Sequence, residues 1–158
     1  MRVRHLFSPC LGLLFCLQPY VLAAGTVQKN ELLVFETEQV SVSYPAHLQS
    51  ETTDNDFGKS LLLLEEGLRV FSLSRWPMDM LGIIQKDMLP GSEKERTVGG
   101  VTAHYFEVED VSDGEGGVWE DNKIPSIMVP DGDHFYLLNG RPPYFEKILE
   151  TIVFHNLP

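Results

Sequence analysis

The sequence predicts an α+β domain, an antiparallel sheet flanked by helices, and three observations carry that prediction. Residues 39–45, QVSVSYP, alternate Val40, Val42 and Tyr44 with Ser41 and Ser43, the period of a strand with one buried face. Short turn sequences, Gly99-Gly100 and Asp131-Gly132-Asp133, separate strand-like runs so closely that the flanking strands must be antiparallel. Phe145, Ile148, Leu149 and Ile152 then recur at i, i+3, i+4 and i+7, the stripe of an amphipathic helix started by Pro142 or Pro143.

The remaining elements follow in order. Residues 31–37, ELLVFET, read as an edge partner of the 39–45 strand. The polar, aperiodic stretch 46–59 reads as a loop with apolar anchors at Leu48 and Phe57. SLLLLEE (60–66) is apolar on both faces, as a central covered strand would be, and LRVFSLSR (68–75) returns as its hairpin mate. From Pro77 the period changes: Leu81, Ile84 and Met88 stand at helical spacing until Pro90-Gly91 stops them, with Gly82 a weak point. KERTV and VTAHYFEVED form a second hairpin about Gly99-Gly100, and KIPSIMVP and HFYLLNG a third about the Asp131 turn. Between these hairpins, residues 107–121 hold seven carboxylates and no cation, and read as a loop.

Residues 1–24 carry Arg2 and Arg4, an apolar stretch from Leu11 to Leu17, and small residues before Gly25, the pattern of a cleaved secretory signal peptide. Pro9, Gln18 and Pro19 interrupt it too often for a spanning helix of roughly 20 apolar residues. Phe15 before Cys16 is not the small residue that bacterial lipidation requires, and Val3 separates the arginines, so neither a lipoprotein nor a twin-arginine address is read. Both cysteines, Cys10 and Cys16, fall in this segment, leaving residues 25–158 as a single domain without a thiol. The absence of disulfide partners and of an Asn-x-Ser/Thr sequon favours a bacterial periplasm over an extracellular setting.

The chain has 12 basic and 23 acidic residues; without Arg2 and Arg4 the formal balance is 10 against 23, or −13. Such a surface repels phosphate backbones and anionic headgroups, which excludes nucleic-acid and peripheral membrane binding as expected roles.

The strand VSVSYPAHL, the hairpin leading into a helix after FSLSRWPMDM, the TVGGVTAHYFEVE hairpin, HFYLLNG and the closing YFEKILETIVF together resemble the Mog1/PsbP-like superfamily over residues 31–154. The tryptophan that usually follows the Tyr-Pro pair is replaced here by AHLQ. The resemblance implies an α/β/α sandwich about an antiparallel sheet. It also implies a mainly non-enzymatic binding or accessory module, with members that bind Ran, attend photosystems or chaperone secretion effectors; those roles differ too much to transfer.

No catalytic signature emerges from the residues themselves. Gly-x-Ser-x-Gly and His-Glu-x-x-His are absent, and His104 reads as a structural, buried or half-buried histidine on the more apolar face of its strand. Asp131, Asp133 and His134 offer metal-ligating atoms at a loop, but Asp-Gly commonly serves turns, and adjacent Asp133 and His134 would point to opposite faces of a strand. Asp110, Asp113, Glu115, Glu120 and Asp121 could supply several of the six to eight oxygens calcium needs, without matching an EF-hand loop; a solvated acidic loop is favoured and no cofactor is expected. GEGGVW lacks the third glycine and the βα setting of a dinucleotide fingerprint.

Trp76, Met78, Met80, Trp119 and Tyr144 are the side-chain types that enrich binding patches. The expected function is therefore a secreted, periplasmic, non-enzymatic module that binds an unidentified protein partner. A metal- or small-ligand-binding protein using the 107–121 loop is the alternative.

Overall fold

The computed structural model describes residues 31–109 and 123–157. Its architecture corrects the expected α+β sandwich: the described residues form two antiparallel sheets, with two short helices and no helical layer on each side among them. The strands are β1 (Leu32–Glu36), β2 (Val40–Pro45), β3 (Gln49–Asn55), β4 (Gly58–Glu65), β5 (Leu68–Pro77), β6 (Lys94–Val98), β7 (Val101–Glu109), β8 (Lys123–Asp131), β9 (His134–Gly140) and β10 (Val153–Phe154). A 3-10 turn (Met78–Met80) leads into α1 (Leu81–Asp87), and α2 is Tyr144–Leu149. The seven-stranded sheet runs β3-β4-β5-β9-β8-β7-β6; the three-stranded sheet runs β1-β2-β10.

Three local differences produce this outcome. Residues 49–55 pair with β4 through a tight turn at Asp56-Phe57, where the Phe57 N–H donates to Asn55 Oδ1 at 2.9 Å. All seven residues of that strand are exposed, so no apolar alternation betrays it. The expected helix from Pro77 shrinks because Pro77 still belongs to β5, opposite His134, and the α-helix proper is seven residues with none buried. The closing helix also ends early. Its stripe is correct, with Phe145, Ile148, Leu149 and Ile152 all buried, but Thr151 Oγ1 donates to the Ser43 carbonyl at 2.7 Å and accepts from the Ser43 N–H at 3.1 Å. That contact draws the β-branched Ile152-Val153 stretch out of the helix and onto β2.

The small sheet and α2 cover one face of the large sheet. Phe35, Val40, Val42 and Tyr44 point inward to join Leu61, Leu63, Phe71, Leu73, Leu138 and the α2 stripe in one core. On β9 the alternation places Tyr136 and Leu138 in this core and leaves Phe135 on the opposite face, buried outside that cluster beside its register partner Trp76. Phe106 of β7 is likewise buried outside the cluster, and Leu81 and Met88 lie beside it.

Gly99 seals the junction of the two sheets. Its φ of +57° needs glycine, and an added Cβ would stand 2.9 Å from both the Ile152 carbonyl oxygen and Phe154 Cδ2.

Candidate functional site

The Asp131 turn is a closed electrostatic unit. Asp131 and His134 face each other across a two-residue turn, Gly132-Asp133, and Gly132 has φ +63°. The buried Asp131 carboxylate accepts from Arg75 Nε at 2.8 Å, and Arg75 Nη1 also donates to the Phe57 carbonyl at 3.3 Å. His134 Nδ1 lies 2.6 Å from Asp133 Oδ1, and this contact holds the Asp133 carboxyl below the usual range. A guanidinium already occupies the place a cation would take at Asp131. Among the described residues no group of three or more His, Cys, Asp or Glu side chains is arranged to hold a metal ion. Asp110, Asp113, Glu115, Glu120, Asp121 and Trp119 lie outside the described residues.

The expected binding aromatics and methionines do not form one patch. Trp76 is half-buried and donates its indole N–H to Ser74 Oγ at 2.7 Å, an anchor within its own strand. Met78 and Met80 are half-buried in the 3-10 turn, where the Met78 N–H donates to the Asp133 carbonyl at 2.9 Å. Tyr144 stands apart at the start of α2. Its hydroxyl donates to Glu65 Oε1 at 2.5 Å, and His47 Nε2 lies 3.2 Å from the Tyr144 hydroxyl oxygen. The Glu65 carboxylate chiefly, with burial, pushes the phenol up to about 12. This cluster ties the β2–β3 turn, the end of β4 and the start of α2 together.

An open cleft of about 210 Å³ lies between α1 and strands β6–β8, floored by Leu81, Met88, Phe106 and Met128. His104, paired in register with Met128, sits at its rim and is exposed, contrary to the buried or half-buried position expected of it. Alternation does give it the face of Phe106, but α1 is too short to cover both.

A surface that residue types alone did not single out is β1. Leu32, Leu33 and Val34 are 56, 41 and 61% exposed, three consecutive large apolar side chains. β1 ends the small sheet, with β2 on one side and no strand on the other among the described residues.

The register shows which backbone groups face outward. The Ala46 N–H donates to the Glu31 carbonyl at 2.9 Å and the Thr37 N–H to the Val40 carbonyl at 2.9 Å, both in the phase of the β1–β2 ladder. Bonded residues alternate in an antiparallel ladder, so the N–H and C=O groups of Leu32, Val34 and Glu36 point away from β2. Phe35, 7% exposed, locks the strand to the core from its inner face.

This geometry is that of a template for an added strand: outward donors and acceptors at alternate residues, apolar side chains between them, and a rigid backing. No protein-family model matches the chain, and no curated protein matches it at a significant level.

Proposed function

We propose that the chain is a secreted, periplasmic protein-binding module without chemistry of its own, and that its partner adds a strand along β1. The observation that carries this reading is the open edge of Leu32–Glu36, with its three exposed apolar residues on a strand anchored by Phe35. An apolar edge of this kind is an association hazard unless it is meant to be covered. Covering the exposed half of each side chain is worth about 1 kcal/mol, and the backbone groups gain partners as well. The leader-like residues 1–24 and the lack of cysteine in residues 25–158 support the location. Membership of the Mog1/PsbP-like superfamily belongs to the same proposal without supporting it, because the α/β/α sandwich it implied is not the architecture formed.

The test is capture from bacterial envelope extract with two baits, the wild-type chain and Val34→Lys. Val34 is exposed, so the variant keeps the fold while placing a charge on the edge. A stoichiometric companion recovered by wild type and lost with Val34→Lys is expected. A companion recovered equally by both, or by neither, overturns strand addition at β1.

A further inference from the structure

The charges around β1 specify more than an open edge. Glu31 immediately precedes the strand, Glu36 ends it and Glu38 follows in the turn, so carboxylates bracket Leu32-Leu33-Val34 on both sides. All three glutamates are exposed, and none takes part in an ion pair among the described residues. Elsewhere the fold does pair carboxylates with cations, as Asp131 with Arg75 and Glu146 with Arg96.

Resting on the reading of β1 as a strand-addition site, we propose that the partner segment is a short apolar run with a lysine or arginine at each end, docked antiparallel. The pattern follows from register. Opposed residues in an antiparallel pair share a face, and opposite charges directly opposed are favourable while a charge opposed to an apolar side chain is not. Read from its N-terminus, the added segment meets Glu36 first, then Phe35, Val34, Leu33, Leu32 and finally Glu31. The complementary order is therefore basic, any residue, apolar, apolar, apolar, basic. The position opposite Phe35 is free because Phe35 is already buried on the inner face.

A second copy of the chain is a poorer occupant. Its own β1 offers no cation, and pairing β1 with itself would gather Glu31, Glu36 and Glu38 of both copies along one short ladder. The whole chain already carries a formal charge of −11.

The experiment titrates the purified protein with three end-blocked peptides: Lys-Thr-Val-Ile-Val-Lys, the same peptide with both lysines replaced by glutamine, and the same with both replaced by glutamate. Binding is read by calorimetry and by the amide resonances of Leu32, Val34 and Glu36; sedimentation reports the state of the free protein. The basic peptide is expected to bind about tenfold more tightly than the glutamine peptide at low salt, as two exposed ion pairs allow, and to lose that margin in high salt. The glutamate peptide is expected not to bind. Glu36→Gln should cut the margin to about threefold with the fold unchanged, and Val34→Lys should abolish binding of the basic and glutamine peptides.

Equal binding of the basic and glutamine peptides overturns the charge rule while leaving strand addition standing. Failure of every peptide overturns both. A free protein already paired through β1, and made monomeric by Val34→Lys, overturns the heterologous partner in favour of a second copy.

Discussion

The strands β1 and β3 each end a sheet, and they end it in opposite ways. β1 reads LLVFE, with Leu32, Leu33 and Val34 exposed and Phe35 buried. β3 reads QSETTDN; every residue is exposed and none is a large apolar one. β3 is longer by two residues and pairs with β4 alone among the described residues, yet its surface of carboxylates and hydroxyls discourages further pairing. β1 is shorter, held from within by Phe35, and apolar along its middle, with carboxylates only at its ends. The difference teaches that this chain covers the long edges of the large sheet, β3 and β6, with polar and charged side chains and leaves β1 apolar, which is why β1 reads as a site rather than as an imperfection.

The comparison breaks most readily at Phe35. Phe35→Ala removes the inner anchor of β1 and should cost about 3 kcal/mol, read as a lower urea midpoint, whereas Thr53→Ala in β3 should stay within about 0.5 kcal/mol. Equal costs would mean that β1 is no better backed than β3.

Gly99→Ala tests the junction that holds the small sheet in place. With a left-handed backbone and two atoms 2.9 Å from the new methyl group, it should destabilise by about 2 kcal/mol, and hydrogen exchange should accelerate first in β10 and β2. Uniform acceleration over both sheets would show that the junction has no special hold on the small one.

Converting β3 into an apolar edge sharpens the contrast. The triple substitution Glu51→Val, Thr52→Val and Thr53→Val should leave the urea midpoint within the range of ordinary surface changes but produce concentration-dependent association in sedimentation. A monodisperse variant would mean that edge composition does not govern association in this fold.

The smallest effect concerns the opposite end of the large sheet, where Arg96 of β6 donates from both terminal guanidinium nitrogens to the Glu146 carboxylate of α2. That contact holds Glu146 below the usual carboxylate range. A carboxyl whose folded value is depressed contributes stability above its unfolded value and loses it as pH falls through the folded one. Because Glu146 is more than half exposed, the contribution should stay below about 1 kcal/mol. The difference in urea midpoint between wild type and Glu146→Gln should therefore be small at pH 7 and disappear as pH falls through the depressed range in which Glu146 takes up its proton. A difference that persists in acid would assign it to packing instead of charge.

What could be read in advance follows from where apolar side chains repeat. Val40, Val42 and Tyr44 gave away β2 because only one face of that strand is buried, and Gly99-Gly100 marked the β6–β7 turn because the chain needs positive φ there. β3 was invisible because it buries nothing, so pairing with β4 and the Asn55 turn define it instead. β10 was hidden for the opposite reason: Ile152 continues a true helical stripe, and only the bonding of the Thr151 hydroxyl to the Ser43 backbone, 108 positions away, redirects the chain. β1 was legible as an edge strand but not as a site, since LLVFE has the same composition whether its side chains are covered or bare.

The small sheet is sewn from both ends of the described chain. β2 lies between β1, its neighbour in sequence, and β10, and Ser41 and His155 meet across 114 positions. Contacts so distant form late, because the long loop must close before they give anything back. Until β10 is in place, the β1–β2 ribbon therefore lacks the strand that covers the second edge of β2. A polypeptide built this way is slow to commit to its final shape, because the strand that completes its small sheet comes from the far end of the described chain.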